Sequence, residues 1–183
     1  MSTAATTAAD VIAFWREAGY ERWFVRDAAF DAHCRAQFID THLAASRREL
    51  DGWMADADGA LALVLLLDQI PRNIFRGDAC SYATDPLARH HAAGAIDAGF
   101  DREVDPALRI FFYMPFEHSE ELADQQRAVA LTTALCEASY SRYAVLHRDV
   151  IARFGRFPHR NAALGRSNTP EEQAWLDAGG GFA

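Results

Sequence analysis

Leu61-Ala62-Leu63-Val64-Leu65-Leu66-Leu67-Asp68-Gln69-Ile70 is the stretch on which the fold turns. Its apolar residues run without a two-residue alternation, so the segment reads as a helix. A helix apolar nearly all round has no face to offer water and belongs at the centre of its domain. Asp58-Gly59, just upstream, marks the turn that opens it. Asp68 lies one turn after Val64 and Leu65, which points its carboxylate at or near the core. Arg72 follows at i+4, placed to pair with Asp68 if the helix continues past Pro71.

The neighbouring segments carry helical spacing and helical punctuation. Asp10 is expected to cap a short helix, V-I-A-F-W-R-E-A, that Gly19 ends. The pairs Phe14-Trp15 and Trp23-Phe24 are expected to pack the entry to the domain. Asp27 is the expected cap of a longer helix, with Phe30, Cys34, Phe38 and His42 recurring every four residues as a core stripe. Downstream, Asp85-Pro86 and Asp105-Pro106 each offer a capping acid followed by proline. The first predicts a helix closed by Gly99, the second a helix over A-L-R-I-F-F-Y-M that stops before Pro115. Ser119 is expected to cap a long helix from Glu120 to Ala138. Another carries Tyr143, His147, Ile151 and Phe154 along one side. Thr169-Pro170-Glu171-Glu172 has the form of a capping box opening a short last helix. No segment sustains a β-type alternation. The expectation is one all-α domain over residues 1–183, with a flexible leader at 1–9 and a loose tail at 178–183.

Composition narrows the function classes. A chain of 183 residues can bury a sizeable core. Its net charge of −8 argues against a general nucleic-acid surface or an anionic-membrane surface. All basic residues are arginine, which excludes a lysine Schiff base or lysine general base. Cys34, Cys80 and Cys136 are too few and too far apart for a disulfide framework, and lone cysteines at helical spacing are most simply core residues. The N-terminus lacks the basic region and apolar core of a signal peptide, and no apolar run is long enough to span a bilayer. A cytoplasmic location is expected.

One stretch departs from the acidic background. Between Arg142 and Asn168 six arginines face one acid, Asp149, with His147 and His159 in the same window. Asp68 to Gly77, D-Q-I-P-R-N-I-F-R-G, partly echoes F-P-H-R-N further on. Both motifs join proline, arginine and asparagine after an apolar helix, so Arg72 and Arg160 are expected at one polar site, with Asp68 and His147 at its floor.

The order of these motifs resembles the DUF924 family, whose function is uncharacterised. The resemblance rests on V-I-A-F-W, L-D-Q-I-P-R-N-I-F-R-G, F-Y-M-P-F-E-H-S-E, H-R-D-V-I-A-R-F-G-R-F-P-H-R-N and A-L-G-R-S-N-T-P-E-E. It spans nearly the whole chain. Since the family is grouped with tetratricopeptide-like folds, the resemblance implies stacked antiparallel helix pairs. It supplies no reaction, cofactor or catalytic residue.

Chemistry must therefore come from the side chains. Guanidinium forks bind carboxylate or phosphate in bidentate fashion and keep their charge when partly buried. Arg72, Arg76, Arg153, Arg156 and Arg160, with Asn73, Asn161, His118 and His159, form the expected ligand-binding set for a small anion. The opposing reading has these arginines bridging helices through Asp68, Asp149 and the acids of Glu117 to Glu121. His147 on its apolar stripe, oriented by Asp68 or Glu121, is the candidate acid–base residue, with Asp68 its catalytic partner. His118 and Glu121, at i and i+3, are a bare metal-ligand pair, and no metal or other cofactor is assigned. His147-Arg148-Asp149 copies the start of a kinase catalytic loop without the asparagine or Gly-rich loop that would complete it. The leading expectation is a small phosphate- or carboxylate-bearing ligand, with a reaction left open. The alternative is an interaction module for an acidic peptide on a protein partner.

Overall fold

The computed structural model describes residues 6–135 and 137–182. Residues 1–5 of the expected leader, Cys136 within the expected long helix, and Ala183 of the expected tail lie outside them. Among the described residues the regular structure is helical throughout, with α1 Ala8–Ala18, α2 Tyr20–Trp23, α3 Ala28–Ser46, α4 Ala57–Ile74 and α5 Asp85–Asp97. These are followed by α6 Met114–Glu117, α7 Leu122–Thr133, α8 Ala138–Phe154 and α9 Pro170–Asp177, with short 3-10 turns between. The chain is all-α. It divides into two compact units: one takes the chain up to Arg76 together with Cys80–Pro115, the other Gly77–Ala79 and the chain from Phe116 onward.

In the first unit α4 is the central element. Every residue from Gly59 to Pro71 is buried, and α1, α3 and α5 pack around it. The helix does run past Pro71, to Ile74, because proline removes a single main-chain donor and the surrounding packing outweighs that loss. Its start differs from expectation. Asp56 is the cap, accepting the Gly59 N–H at 2.8 Å, so the helix opens at Ala57 and Asp58-Gly59 falls within its first turn. Glycine is needed at 59: a Cβ there would lie 2.2 Å from the Trp53 carbonyl oxygen. The stripe on α3 is as read, with Phe30, Cys34, Phe38 and His42 buried and Asp27 capping through the Ala29 and Phe30 N–H groups. The entry aromatics also pack, Trp15 stacking on Trp23 and both meeting Phe111 edge-on.

Three expected caps in the chain move. α1 begins earlier, on a Thr7–Asp10 capping box, so Asp10 is the reciprocal acid and not the cap. α5 has Thr84 at its N-cap position, with its hydroxyl turned to the Leu67 carbonyl and Asp85 turned to Arg72. Ser119 accepts the Glu121 N–H and donates to Asp124, while Glu121 takes the N-cap position of α7 and the helix ends at Thr133. The helix expected after Asp105-Pro106 is absent. Asp105 instead accepts the Ala107 N–H in a local turn, and a 3-10 turn over Arg109–Phe112 leads into α6. Ile110 to Tyr113 are buried consecutively, which a one-sided helix cannot do.

In the second unit α7 packs against α8, and the chain leaving α8 turns at Gly155 in the left-handed conformation. The inward face of α8 carries Ala144, His147, Val150 and Ile151. Tyr143, expected on that face, is 54 % exposed. Thr169 and Glu172 make the expected reciprocal bonds at the start of α9, at 2.7 Å and 3.2 Å. Thr169→Ala is expected to cost on the order of 1 kcal/mol, read as a lower urea midpoint at unchanged m-value; an unmoved midpoint would contradict it.

Candidate functional site

Of the five arginines expected to clamp a ligand, Arg72, Arg76, Arg153 and Arg156 are placed against acids of their own unit. In the first unit Arg72 reaches from α4 to Asp85 on α5 with a bidentate pair at 2.9 and 3.0 Å, and its Nη1 is 3.5 Å from Asp68. Its guanidinium is held above its usual pKa: burial opposes the charge, and the two carboxylates outweigh burial. One turn on, Arg76 forks onto Asp31 of α3 at 2.7 and 2.8 Å, and Asn73 donates to the same carboxylate at 2.8 Å. Burial pushes Asp31 up, but these hydrogen bonds hold it below the ordinary carboxylate range. Cys34 lies close to Asp31, and burial lifts its thiol to about 12, far from nucleophilic use.

The second unit repeats the pattern. Arg156 forks onto Glu172 at 2.6 and 2.8 Å and also donates to the Ser167 carbonyl. With the Thr169 N–H, this pulls Glu172 down to about 2. Arg153, on the exposed side of α8, pairs with Glu171. Asn161 donates to Asn168 and accepts from Arg166. Arg166 in turn forks onto Glu120 at 2.7 and 2.9 Å. The acids that answer the arginines are therefore Asp31, Asp85, Glu120, Glu171 and Glu172, alongside Asp68. Asp149, one of the expected bridging acids, pairs locally with Arg148.

Inside the second unit a different grouping forms around Phe157, which is fully buried. His147 meets it edge-on at 5.7 Å, His159 lies 5.5 Å from it, and the Arg160 guanidinium sits 4.5 Å over its ring. His118 stands 6.4 Å from His147. Phe182 stacks flat on His147 at 3.6 Å and meets both Phe157 and His159 edge-on. Gly155 and Pro158 give this arrangement its shape: the left-handed turn and the following 3-10 turn present Phe157, His159 and Arg160 from consecutive positions.

His147 Nδ1 faces two acceptors, the Tyr143 carbonyl at 2.9 Å and Glu117 Oε1 at 3.0 Å. In the neutral ring Nδ1 must carry the proton, which leaves Nε2 as the basic nitrogen. Burial pushes the ring down to about 3, the Tyr143 carbonyl opposes this, and His118, His159 and Arg160 add to the depression. Glu117 thus takes the orienting role expected of Asp68 or Glu121. Of the expected metal pair, Glu121 is exposed and His118 buried. Among the described residues no three His, Cys, Asp or Glu are gathered to hold a metal ion, and no helix is long and apolar enough to cross a membrane. Asp68 and Arg72 belong to the first unit, His147 and Arg160 to the second. Two contributors escaped the sequence reading in these roles. Glu117 stands next to His118 in the F-E-H motif and could have been weighed as His147's partner. Phe182 carries no signal of any kind.

Comparison with known proteins agrees with the motif order. The family described as bacterial protein of unknown function (DUF924) matches residues 11–180. None of the curated proteins matches. The solved structure of a protein of unknown function, ATU0120, from Agrobacterium tumefaciens is similar at a TM-score of 0.90 and 55% identity, covering 93% of this chain and 97% of that one.

Proposed function

Because this chain belongs to the DUF924 family of bacterial proteins of unknown function, we propose a role argued from its own residues. It binds a small anionic ligand, phosphate- or carboxylate-bearing, at the histidine–arginine group of the second unit. The observation that carries this reading is the convergence of His147, His159 and the Arg160 guanidinium around Phe157, with His118 beside His147. A guanidinium and nearby imidazoles in a buried setting favour negative charge, since low local polarisability strengthens each attraction. His147, kept neutral with Nε2 unprotonated, can accept a hydrogen bond from a ligand hydroxyl. Arg72, Arg76, Arg153 and Arg156 serve on this reading as bridges between helices, since each meets a carboxylate of its own unit.

The alternative, a tetratricopeptide-like groove for an acidic peptide, draws less support. Such a groove needs cationic side chains presented to a partner, and Arg153 and Arg156 are engaged by Glu171 and Glu172.

The test is calorimetric titration of the full chain with inorganic phosphate, acetate and citrate at pH 7. Saturable binding of at least one is expected, weakened about tenfold or more in His159→Gln and Arg160→Met, the loss of one charge-assisted contact. Circular dichroism confirms that the variants remain folded. Failure of all three anions to bind the native chain would sink the reading.

A further inference from the structure

The segment Gly179-Gly180-Gly181-Phe182, expected as part of a loose tail, has a definite course. Gly179 and Gly181 adopt φ values of 83° and 139°, which side-chain-bearing residues rarely adopt. Gly180 approaches Trp175 so closely that a Cβ would lie 2.3 Å from the indole and 2.5 Å from the Trp175 carbonyl oxygen. Each glycine is thus required, two by conformation and one by contact. The Gly179 and Gly180 N–H groups are tied to Leu176 and Trp175 at the end of α9. Beyond Gly180 no hydrogen bond holds the strap among the described residues. The Phe182 ring anchors its far end.

That ring lies in a recess with three aromatic walls. Phe182 is 3.6 Å from His147, centroid to centroid, with the planes 13° apart, and it makes edge contacts with Phe157 at 88° and with His159 at 86°. The flat wall is an imidazole whose Nδ1 is fixed by Glu117 and Tyr143, so its plane is set before any ring arrives. Phe182 also packs against the apolar cluster of Val150, Ile151 and Phe157. Here His159 forms one wall, and Arg160 lies over the Phe157 wall at 4.5 Å. The recess therefore offers stacking to a planar ring, and a guanidinium and an imidazole to a group attached to it.

We propose that this recess recognises a planar aromatic ring bearing a carboxylate or phosphate, and that Phe182 is its built-in occupant, displaced when such a ligand binds. The proposal rests on the anion-binding reading of the same group and adds the ring and the strap to it. The incoming ring recovers the stacking that Phe182 gives up, and the glycine strap lets Phe182 leave without disturbing α9. The anionic group is met by Arg160 and His159, and His118 and Glu117 also lie beside His147.

The experiment compares benzoate and phenyl phosphate with cyclohexanecarboxylate and inorganic phosphate, titrated into the full native chain and into Phe182→Ala. Aryl anions are expected to bind the native chain more tightly than their non-aromatic counterparts. Removing the competing ring should tighten aryl binding on the order of tenfold and leave inorganic phosphate unchanged. Should Phe182→Ala fail to fold, Phe182→Leu fills the recess without a flat face and carries the same expectation. An NMR signal of the His147 ring should move on benzoate addition as one ring replaces the other. The proposal is overturned if cyclohexanecarboxylate binds as well as benzoate, or if neither variant tightens aryl binding. In that event, continued binding of inorganic phosphate leaves the anion reading standing. If neither inorganic phosphate, acetate and citrate nor the aryl anions bind, both fall together.

Discussion

Arg72→Met is expected to lower the unfolding free energy by about 3–5 kcal/mol at pH 7, among the largest effects of any single substitution in the first unit. Arg72 lies on α4 with Asp68 one turn before it, and Asp85 comes to it from the start of α5. Asp68 has no exposed surface and Asp85 very little. Methionine keeps much of the side chain's length and apolar contact, though not the guanidinium that lies 5.8 Å over the Tyr82 ring. What it removes is the guanidinium shared by two buried carboxylates. Their desolvation then has to be met by protonation or by water entering the core, and either is costly. Asp85→Asn should cost less, since its amide oxygen can still accept from Arg72. Equilibrium urea unfolding measures both. A change within about 0.5 kcal/mol for Arg72→Met, as at an unconstrained surface position, would show that the pair does not hold α4 to α5. It would then return Arg72 to the candidates for a ligand clamp.

The second large effect is a stability that falls with acid and depends on His147. The folded ring refuses a proton until about pH 3, because burial disfavours the cation and His118, His159 and Arg160 repel it. In the unfolded chain the same ring takes up its proton near pH 6.5. Protonation therefore favours the unfolded state between these values. The contribution is fully present above about 6.5 and is lost as pH falls towards about 3, at up to about 1.4 kcal/mol per pH unit. His42 and His91 are also buried and shifted downward, so they act in the same sense. The informative comparison is thus the native chain against His147→Gln, whose slope between pH 6 and 4 should be shallower by as much as that amount. Chemical unfolding at four or five pH values supplies it. The opposite sign, stability rising as pH falls through 6.5, would mean that the Glu117–His147 ion pair outweighs burial.

Helices α3 and α4, and the cap of α9, could be read before any coordinates. Phe30, Cys34, Phe38 and His42 recur at the helical period, Leu61 to Leu67 leave no polar face, and Thr169 and Glu172 stand three apart. These are relations within about four residues, and such spacings are written directly in the chain. The same locality allowed error where two local solutions compete. Thr7 and Asp10 could each have capped α1, and the reciprocal box prevailed because it satisfies two main-chain donors and not one. Asp105-Pro106 has the letters of a helix start, yet Ile110 to Tyr113 had four neighbouring side chains to bury, and a tight turn does that where a helix would expose some.

At the candidate site the sequence by itself determined which groups are present: the arginines, the histidines and their cationic setting in an acidic chain. Their partners were decided only by tertiary structure. Arg76 finds Asp31 across 45 positions, Arg166 finds Glu120 across 46, and Arg72 finds Asp85 across 13. Phe182 reaches His147 from beyond α9. No spacing rule encodes such meetings. Charge acts through space, and an arginine takes whichever carboxylate the packed helices bring within reach of its fork.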